Sequence, residues 1–311
     1  MAPWTADIDI DASLAARLIA KQFPRFATAT VMPFGAGWDN AAFLIGGHVV
    51  FRFPRRRIAA GLIEREVAVL PHVASKLPLT ISAPQFIGSK TAEYPWVFAG
   101  YERIAGSTAC SIVLSDESRV TLAEPLARFL RALHDVEPAE LVARGLPPDE
   151  IGRLDHAKRL RASRERVALL TASGDFEADD VFTMWLDTRP PAALEDAKRC
   201  LVHGDLYARH IVVSDRAVPT GIIDWGDVHL GDPALDIAIA HLMLPLSAHE
   251  AFRAAYGPID DRTWNVARYR AIYHAILELE YGIRENDVGM REIGSTALRF
   301  IRAAIERELR S

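Results

Sequence analysis

The stretch LVHGDLYARHIVV, residues 201–213, constrains this chain more than any other. It begins and ends like a buried strand, at Leu201–Val202 and Ile211–Val213. Between those flanks stand His203, Gly204, Asp205, Arg209 and His210, with no run of turn residues to account for them. Apolar strands flanking a tight polar loop are how folds present reactive side chains. The fold must bury both flanks and still present the loop, which raises the question of whether Asp205 and His210 act together.

Bulk properties narrow the answer. The chain has 311 residues, half of them hydrophobic, enough for one large core or two smaller ones. A net charge of −5, from 36 basic and 41 acidic residues, gives no concentrated basic face for nucleic acid. Arg52–Arg57 is the densest basic run and is too short to alter that. Cys110 and Cys200 are the only 2 cysteines, which suggests neither a disulfide scaffold nor a thiolate metal site and fits a reducing cytoplasm. The first residues carry Asp7, Asp9 and Asp11 and lack a cationic region, so no secretory signal is expected there. No apolar run approaches the roughly 18 residues of a membrane span.

The chain reads as a strand-rich front and a helix-rich back. Asp11 can cap a helix whose apolar face is Leu14, Leu18 and Ile19, with Pro24 as its stop. ATATVMPF then alternates like a strand, and AAFLIGGHVVFRF is two apolar runs joined by Gly46–Gly47. A Gly–Gly pair supplies the positive φ angles of a two-residue hairpin turn. Residues 58 to 76 read as a helix bent or broken at Pro71, followed by strands in APQFIG and PWVFAGYERI. After Gly106 the character changes: Leu122, Leu126, Leu130 and Leu133 recur at helical spacing. HAKRLRASRERVALL and FEADDVFTMWL read as further helices. Strands return at Cys200–Val202, Ile211–Val213 and Thr220–Ile223, and helical patterns dominate from Leu235 to Arg310. The expected fold class is α+β and bilobal, with a small β-rich lobe over residues 1–103 and a larger, mainly helical lobe over 104–311.

The central loop fits a phosphoryl-transfer template. His203, Asp205 and His210 stand at the offsets of the protein-kinase catalytic loop, H-R-D, four residues, then a metal-binding Asn. GIIDWGD puts Asp224, Trp225 and Gly226 where kinases carry Asp-Phe-Gly, again at a strand end. An alcohol attacking a γ-phosphate needs its proton accepted and its oxygen aimed in line. A carboxylate within hydrogen-bond reach does both, so Asp205 is the candidate base. Mg²⁺ is a hard ion that takes one or two carboxylates with water and phosphate oxygens, which suits Asp224. Gly204 lets the loop turn tightly beside the base.

With both motifs in view, LVHGDLYARHIVV and GIIDWGDVHLGDPALDIA resemble the aminoglycoside phosphotransferase family, the small-molecule antibiotic kinases and their relatives. GAGWDN, VVFRFPR and REVAVL match that family in order, so the resemblance runs from about residue 11 to the last helices. The usual loop ends in Asn where this one has His210, as in the macrolide phosphotransferase branch. The resemblance implies a protein-kinase-like fold with ATP or GTP between the lobes, Mg²⁺ as cofactor and a small-molecule hydroxyl as acceptor. It implies that FGAGWDN is the nucleotide loop, Gly35 and Gly37 letting backbone N–H groups approach phosphate, although Asn40 replaces the third glycine of G-x-G-x-x-G. Arg52 falls where many members have a phosphate-contacting Lys, Glu66 would pair with it, and Phe98–Arg103, Tyr101 included, would form the hinge that reads the base.

Plainer readings stand beside these. Asp205 could cap its own turn and Asp224 could merely end a strand. His210 is open between holding metal, bonding a metal-bound water, touching phosphate and serving as a core histidine, because imidazole suits softer ions than Mg²⁺. His203 reads as structural, Asp232 before Pro233 as an N-cap, and Asp236 one turn on as a brace for the loop. Asp227 either lines the cleft or is solvated, and Arg52 with Glu66 could be a surface pair. For the acceptor, Glu278, Glu280, Tyr281, Glu285 and Asp287 form an acidic and aromatic set that a solvated helix face explains equally well. Phe182, Met184 and Trp185 read as core. The expected function is transfer of phosphate from ATP or GTP to an aminoglycoside, a macrolide or a metabolite of choline, sugar or homoserine type. The alternative is a non-catalytic nucleotide-binding protein, for which Asn40, Arg52 and His210 leave room and against which Asp205 and Asp224 argue. A cytoplasmic monomer or homodimer is expected.

Overall fold

The computed structural model describes residues 6–36, 39–177, 183, 186 and 199–310. Helix α1 (Ala12–Gln22) begins at Asp11, whose carboxylate accepts the Leu14 N–H at 2.7 Å, and ends before Pro24 as expected. There follow β1 (Val31–Ala36), β2 (Asn40–Ile45), β3 (Val49–Pro54), α2 (Arg57–Val69), β4 (Thr80–Ile81), β5 (Pro84–Gly88) and β6 (Phe98–Glu102). Five of these strands form one antiparallel sheet in the order β1-β2-β3-β6-β5.

Alternation along β3 decides what each face of this sheet meets. Phe51 and Phe53 are fully buried with Leu18 and Ile19 of α1 and with Phe43 and Phe98. The Phe53 and Phe98 rings stack at 4.5 Å between centroids. Arg52 therefore points to the other face, where α2 lies and Ile63 packs on Ala99 and Tyr101. The hairpin differs from expectation by one residue. Ile45 pairs with Val49, so Gly46, Gly47 and His48 all belong to the turn, with φ of 56° and 81° at the two glycines. The His48 N–H closes it onto the Ile45 carbonyl at 3.2 Å.

The helix expected over 58–76 stops at Val69 and continues as two 3₁₀ turns, Leu70–His72 and Ala74–Lys76, because Pro71 cannot extend the ladder. Leu70 and Val73 drop into the larger core.

The back of the chain contains β7 (Ser107–Thr108), α3 (Asp116–His134), α4 (Ala139–Ala143), α5 (His156–Ala172), β8 (Cys200–Val202), β9 (Ile211–Val213), β10 (Pro219–Ile222) and β11 (His229–Gly231). It closes with α6 (Ala234–Met243), α7 (His249–Tyr256), α8 (Asp261–Arg284) and α9 (Val288–Leu309). Leu122, Leu126, Leu130 and Leu133 of α3 are all fully buried, as their spacing requires. Every residue of α6 is buried, so it forms the centre of this lobe. The helix expected over 176–186 lies mostly outside the described residues, as do Phe182, Met184 and Trp185. The result is an α+β fold with a β-sheet front and a helical back.

The expected division at residue 103 needs correcting in one respect. Thr80–Ile81 pairs in parallel with β10, and the sheet order β4-β10-β9-β7 makes it an edge strand of the back lobe. The Ser82 N–H also bonds the Ile222 carbonyl at 3.1 Å, so this front segment satisfies its backbone in the other lobe. Both cysteines are free, and among the described residues no helix is long and apolar enough to cross a membrane.

Gly100 lies directly opposite Phe51, and a Cβ there would stand 2.7 Å from the Phe51 ring. Gly100→Ala is expected to destabilise the protein by about 1–3 kcal/mol through overpacking, read as a lower midpoint in chemical denaturation. An unchanged midpoint would show that the aromatic layer has slack to spare.

Candidate active site

The loop between β8 and β9 carries the polar cluster of residues 203–210. Gly204 adopts φ of 83°, and a Cβ on it would lie 2.6 Å from the Asp227 carbonyl oxygen. No other residue fits that turn. His203 is fully buried: its Nδ1 accepts the Asp205 N–H at 3.3 Å, so Nε2 carries the proton toward the Ile223 carbonyl at 3.1 Å. Burial lowers its basicity, and it stays a neutral strut.

Asp236, on the first turn of α6, fixes this loop from below. One oxygen accepts the His203 N–H at 2.7 Å, with His134 Nε2 at 3.2 Å, and the other accepts the Gly204 N–H at 2.9 Å. Burial would raise this carboxyl, but His134 and then the neighbouring donors outweigh it and hold the group below the ordinary range. The N-cap of α6 is Pro233, one residue later than expected, and Asp232 stands just before it with its carboxylate accepting the Ala234 N–H at 2.9 Å.

Asp224 arrives from the end of β10. Its φ of 63° is left-handed, a conformation Asp tolerates at a cost and one that recurs at functional sites. Trp225 anchors the turn: its ring is fully buried and Nε1 donates to the Ile222 carbonyl at 3.1 Å. Asp224 is thereby turned toward the loop, half exposed to the cleft. Its Oδ2 lies 3.4 Å from His210 Nε2, and its Oδ1 accepts from Arg52 Nη2 at 2.9 Å. His210 Nδ1 lies 2.8 Å from the Asp205 carbonyl oxygen and donates to it. The Asp205 carboxylate is one-third exposed, with Oδ2 4.0 Å from the same ring.

The structure thus brings Asp205, His210, Asp224 and Arg52 to one place. Arg52 spans the lobes, donating also to Glu66 at 3.0 and 3.3 Å, and the Tyr101 hydroxyl donates to Glu66 at 2.6 Å. Burial works against the Arg52 charge, but Glu66 and Asp224 outweigh it and keep the guanidinium protonated. The cleft walls alone would raise Asp224, yet Arg52 and then His210 hold it at about 2. Burial pushes Asp205 above the ordinary carboxylate range, with His210 pulling against it.

Other expectations fall differently. The Tyr101 ring is buried and committed to Glu66, so its side chain braces the ion pair, and any reading of a base falls to the backbone of β6. Gly35 lies at the exposed end of β1, and Gly37 is outside the described residues. Asp227 pairs with Arg153, which Asp149 holds at 2.9 Å. The acidic set on α8 does not line a common surface. Glu278 is buried, Glu280 and Glu285 pair with Arg284, and Asp287 caps α9 and pairs with Arg209. One residue that motif reasoning missed entirely is Arg270, whose Nη2 stands 3.6 Å from Asp205 Oδ1. Its only signal was a cation one helical turn before His274.

Known proteins share the family and the fold of this chain. Residues 30–272 match the family model described as the APH phosphotransferase enzyme family. Viomycin phosphotransferase of Streptomyces vinaceus is 29% identical over 203 residues, which span 63% of this chain and 67% of that protein. The GDP complex of wild-type aminoglycoside 2'-phosphotransferase-IIIa has a TM-score of 0.65 at 23% identity, covering 95% of this chain and 99% of that one. Macrolide 2'-phosphotransferase MphH from Brachybacterium faecium has a TM-score of 0.57 at 20% identity, covering 93% and 97%. At these identities the structural likeness establishes the fold.

Asp236→Asn is expected to destabilise the protein by about 3 kcal/mol at neutral pH, because a buried anion with three donors becomes a neutral amide. The folded carboxyl lies below its unfolded value, so its contribution is complete above about pH 3.9 and fades as pH falls through the lower folded value. Denaturation curves should show a constant gap between the two proteins from about pH 5 to 7 that closes in acid. A gap independent of pH down to acid unfolding would mean that charge is not what holds the loop.

Proposed function

Because the chain belongs to the APH phosphotransferase enzyme family, we propose that it moves the γ-phosphate of ATP or GTP to a hydroxyl of a small antibiotic-like molecule. Asp205 is the general base, and Mg²⁺ is held by Asp224 and His210. The observation that carries this reading is the meeting of Asp205, His210 and Asp224 from two strand-end loops, with an arginine of the other lobe reaching Asp224.

The donor set fits a cation. His210 commits its Nδ1 to the Asp205 carbonyl, so Nε2 is the nitrogen that faces Asp224 Oδ2 at 3.4 Å. With Nε2 unprotonated, an imidazole nitrogen and a carboxylate oxygen would both be free to hold a cation between them. Among the described residues no three His, Cys, Asp or Glu side chains are placed to hold one metal ion by themselves. An ion on this pair would draw its remaining ligands from phosphate and water, the habit of Mg²⁺ in kinase sites. When bound, it supplies positive charge to the phosphate oxygens.

The remaining work falls to the chain. Glu66 and Tyr101 aim Arg52 at the cleft, where its always-charged fork suits phosphate oxygens. Asp236 holds the loop so that Asp205 faces the same space. Asp205 accepts the proton of the attacking hydroxyl and orients its oxygen, and its raised carboxyl is better matched to that task than an ordinary Asp. Viomycin phosphotransferase and the aminoglycoside and macrolide enzymes suggest the acceptor classes to try first.

Purified protein should release ADP or GDP from Mg–ATP or Mg–GTP, with formation of the phosphorylated acceptor, when offered one member of a panel containing viomycin, kanamycin, gentamicin, streptomycin and a macrolide. Asp205→Asn should reduce that rate by ~10²-fold or more while preserving the thermal shift given by Mg–nucleotide. Asp224→Ala should abolish the shift. A protein that is stabilised by nucleotide yet turns over no panel member, and whose Asp205→Asn variant behaves identically, would be a binder and not a kinase.

A further inference from the structure

Arg270, His274 and Glu278 follow one another at four-residue steps along α8 and so share one face. They are 7%, 5% and 2% exposed, sealed from the cleft. Arg270 Nη2 stands 3.6 Å from Asp205 Oδ1, and its Nη1 lies 2.8 Å from His274 Nδ1. A guanidinium only donates, so His274 Nδ1 is the accepting nitrogen and its proton sits on Nε2. His274 Nε2 lies 3.5 Å from Glu278 Oε1, too far and too poorly aligned to be a hydrogen bond.

The Arg270–His274 contact therefore has a fixed polarity, the guanidinium donating and the ring accepting. Burial first, then Arg270, keeps His274 neutral, and burial pushes Glu278 up to about 8. The guanidinium is left as the charge in the row, packed over the Tyr273 ring at 4.7 Å and facing Asp205. A buried cation is costly unless an anion opposes it. With so little exposure, Arg270 has no route to a bound acceptor and can act only through its neighbour.

We infer that Arg270 is a positioning residue for phosphoryl transfer: it grips Oδ1 of Asp205, leaves Oδ2 to meet the acceptor hydroxyl, and is itself held in that pose by His274. The inference rests on the reading of Asp205 as base. It assigns α8, which supplies none of the motif residues, a direct part in aligning the reaction.

The test is acceptor-dependent release of ADP or GDP from saturating Mg–ATP and Mg–GTP, with viomycin and kanamycin as acceptors, in a double-mutant cycle. Arg270→Met should lower kcat by ~10²-fold, the scale of a misaligned reacting group, with the KM for nucleotide and the Mg–nucleotide thermal shift unchanged. Arg270→Lys should recover most of that loss, since it restores a cation. In the Asp205→Asn background, Arg270→Met should cost nothing further. Losses that multiply across the cycle, or a full kcat in Arg270→Met, overturn the proposal. If Arg270→Met does not fold, His274→Leu serves as the second probe: it should lower kcat without moving the nucleotide KM, and a normal kcat overturns the idea equally. Should Asp205→Asn itself turn over normally, the base assignment fails, an outcome distinct from failure of Arg270 alone.

Discussion

A carboxylate sealed in the larger core governs the geometry of the site. Asp236 is fully buried and is satisfied by two backbone N–H groups of the loop at 203–204 and by His134 from α3. Those partners belong to elements far apart in sequence, so the loop, α3 and α6 are registered against one another by a single anion. An unpaired charge at that depth would be far more costly than the bonds are worth in isolation, which makes the arrangement close to all-or-none. The positive φ of Gly204 and the neutral strut of His203 make sense as the local shapes this anchor imposes.

Above that anchor the charges alternate. Glu66, Arg52, Asp224 and His210 form a chain of contacts running from the front lobe into the back one. Each member is kept ionised or oriented by the next, so the cleft presents a guanidinium and a carboxylate at fixed separation before any ligand arrives. Such preorganisation is what phosphoryl transfer asks of a protein, because little covalent chemistry is left for it to perform. The side of Asp205 away from this chain is backed by Arg270, so its carboxylate has a guanidinium on one flank and an imidazole on the other.

Much of this was legible in the sequence because the information is local. Asp205 and Asp224 each follow a short apolar run, and a strand-end loop can point its side chains in few directions. Asp236 could be read as a brace because it sits one helical turn beyond an N-cap, at a position that must face inward. The leucines of α3 and the capping role of Asp11 follow from period and chemistry alone. What escaped was long-range. The orientation of Arg52 depended on which side of the sheet α1 would cover, a choice alternation cannot make. The acids of α8 and its C-terminal turn looked like one set, yet their partners Arg284 and Arg209 decide their roles, and charge spacing does not reveal partners. Arg270 reaches Asp205 from 65 residues downstream, without any motif to mark it.

The short strand Thr80–Ile81 bears on how this molecule can move. The chain crosses between lobes at residues 103–106, and the β4–β10 pairing adds a second, hydrogen-bonded crossing. Leu70 and Val73, seated in the larger core, and the Arg52–Asp224 ion pair add further ties, so any displacement of the front sheet has to break contacts made in the back lobe.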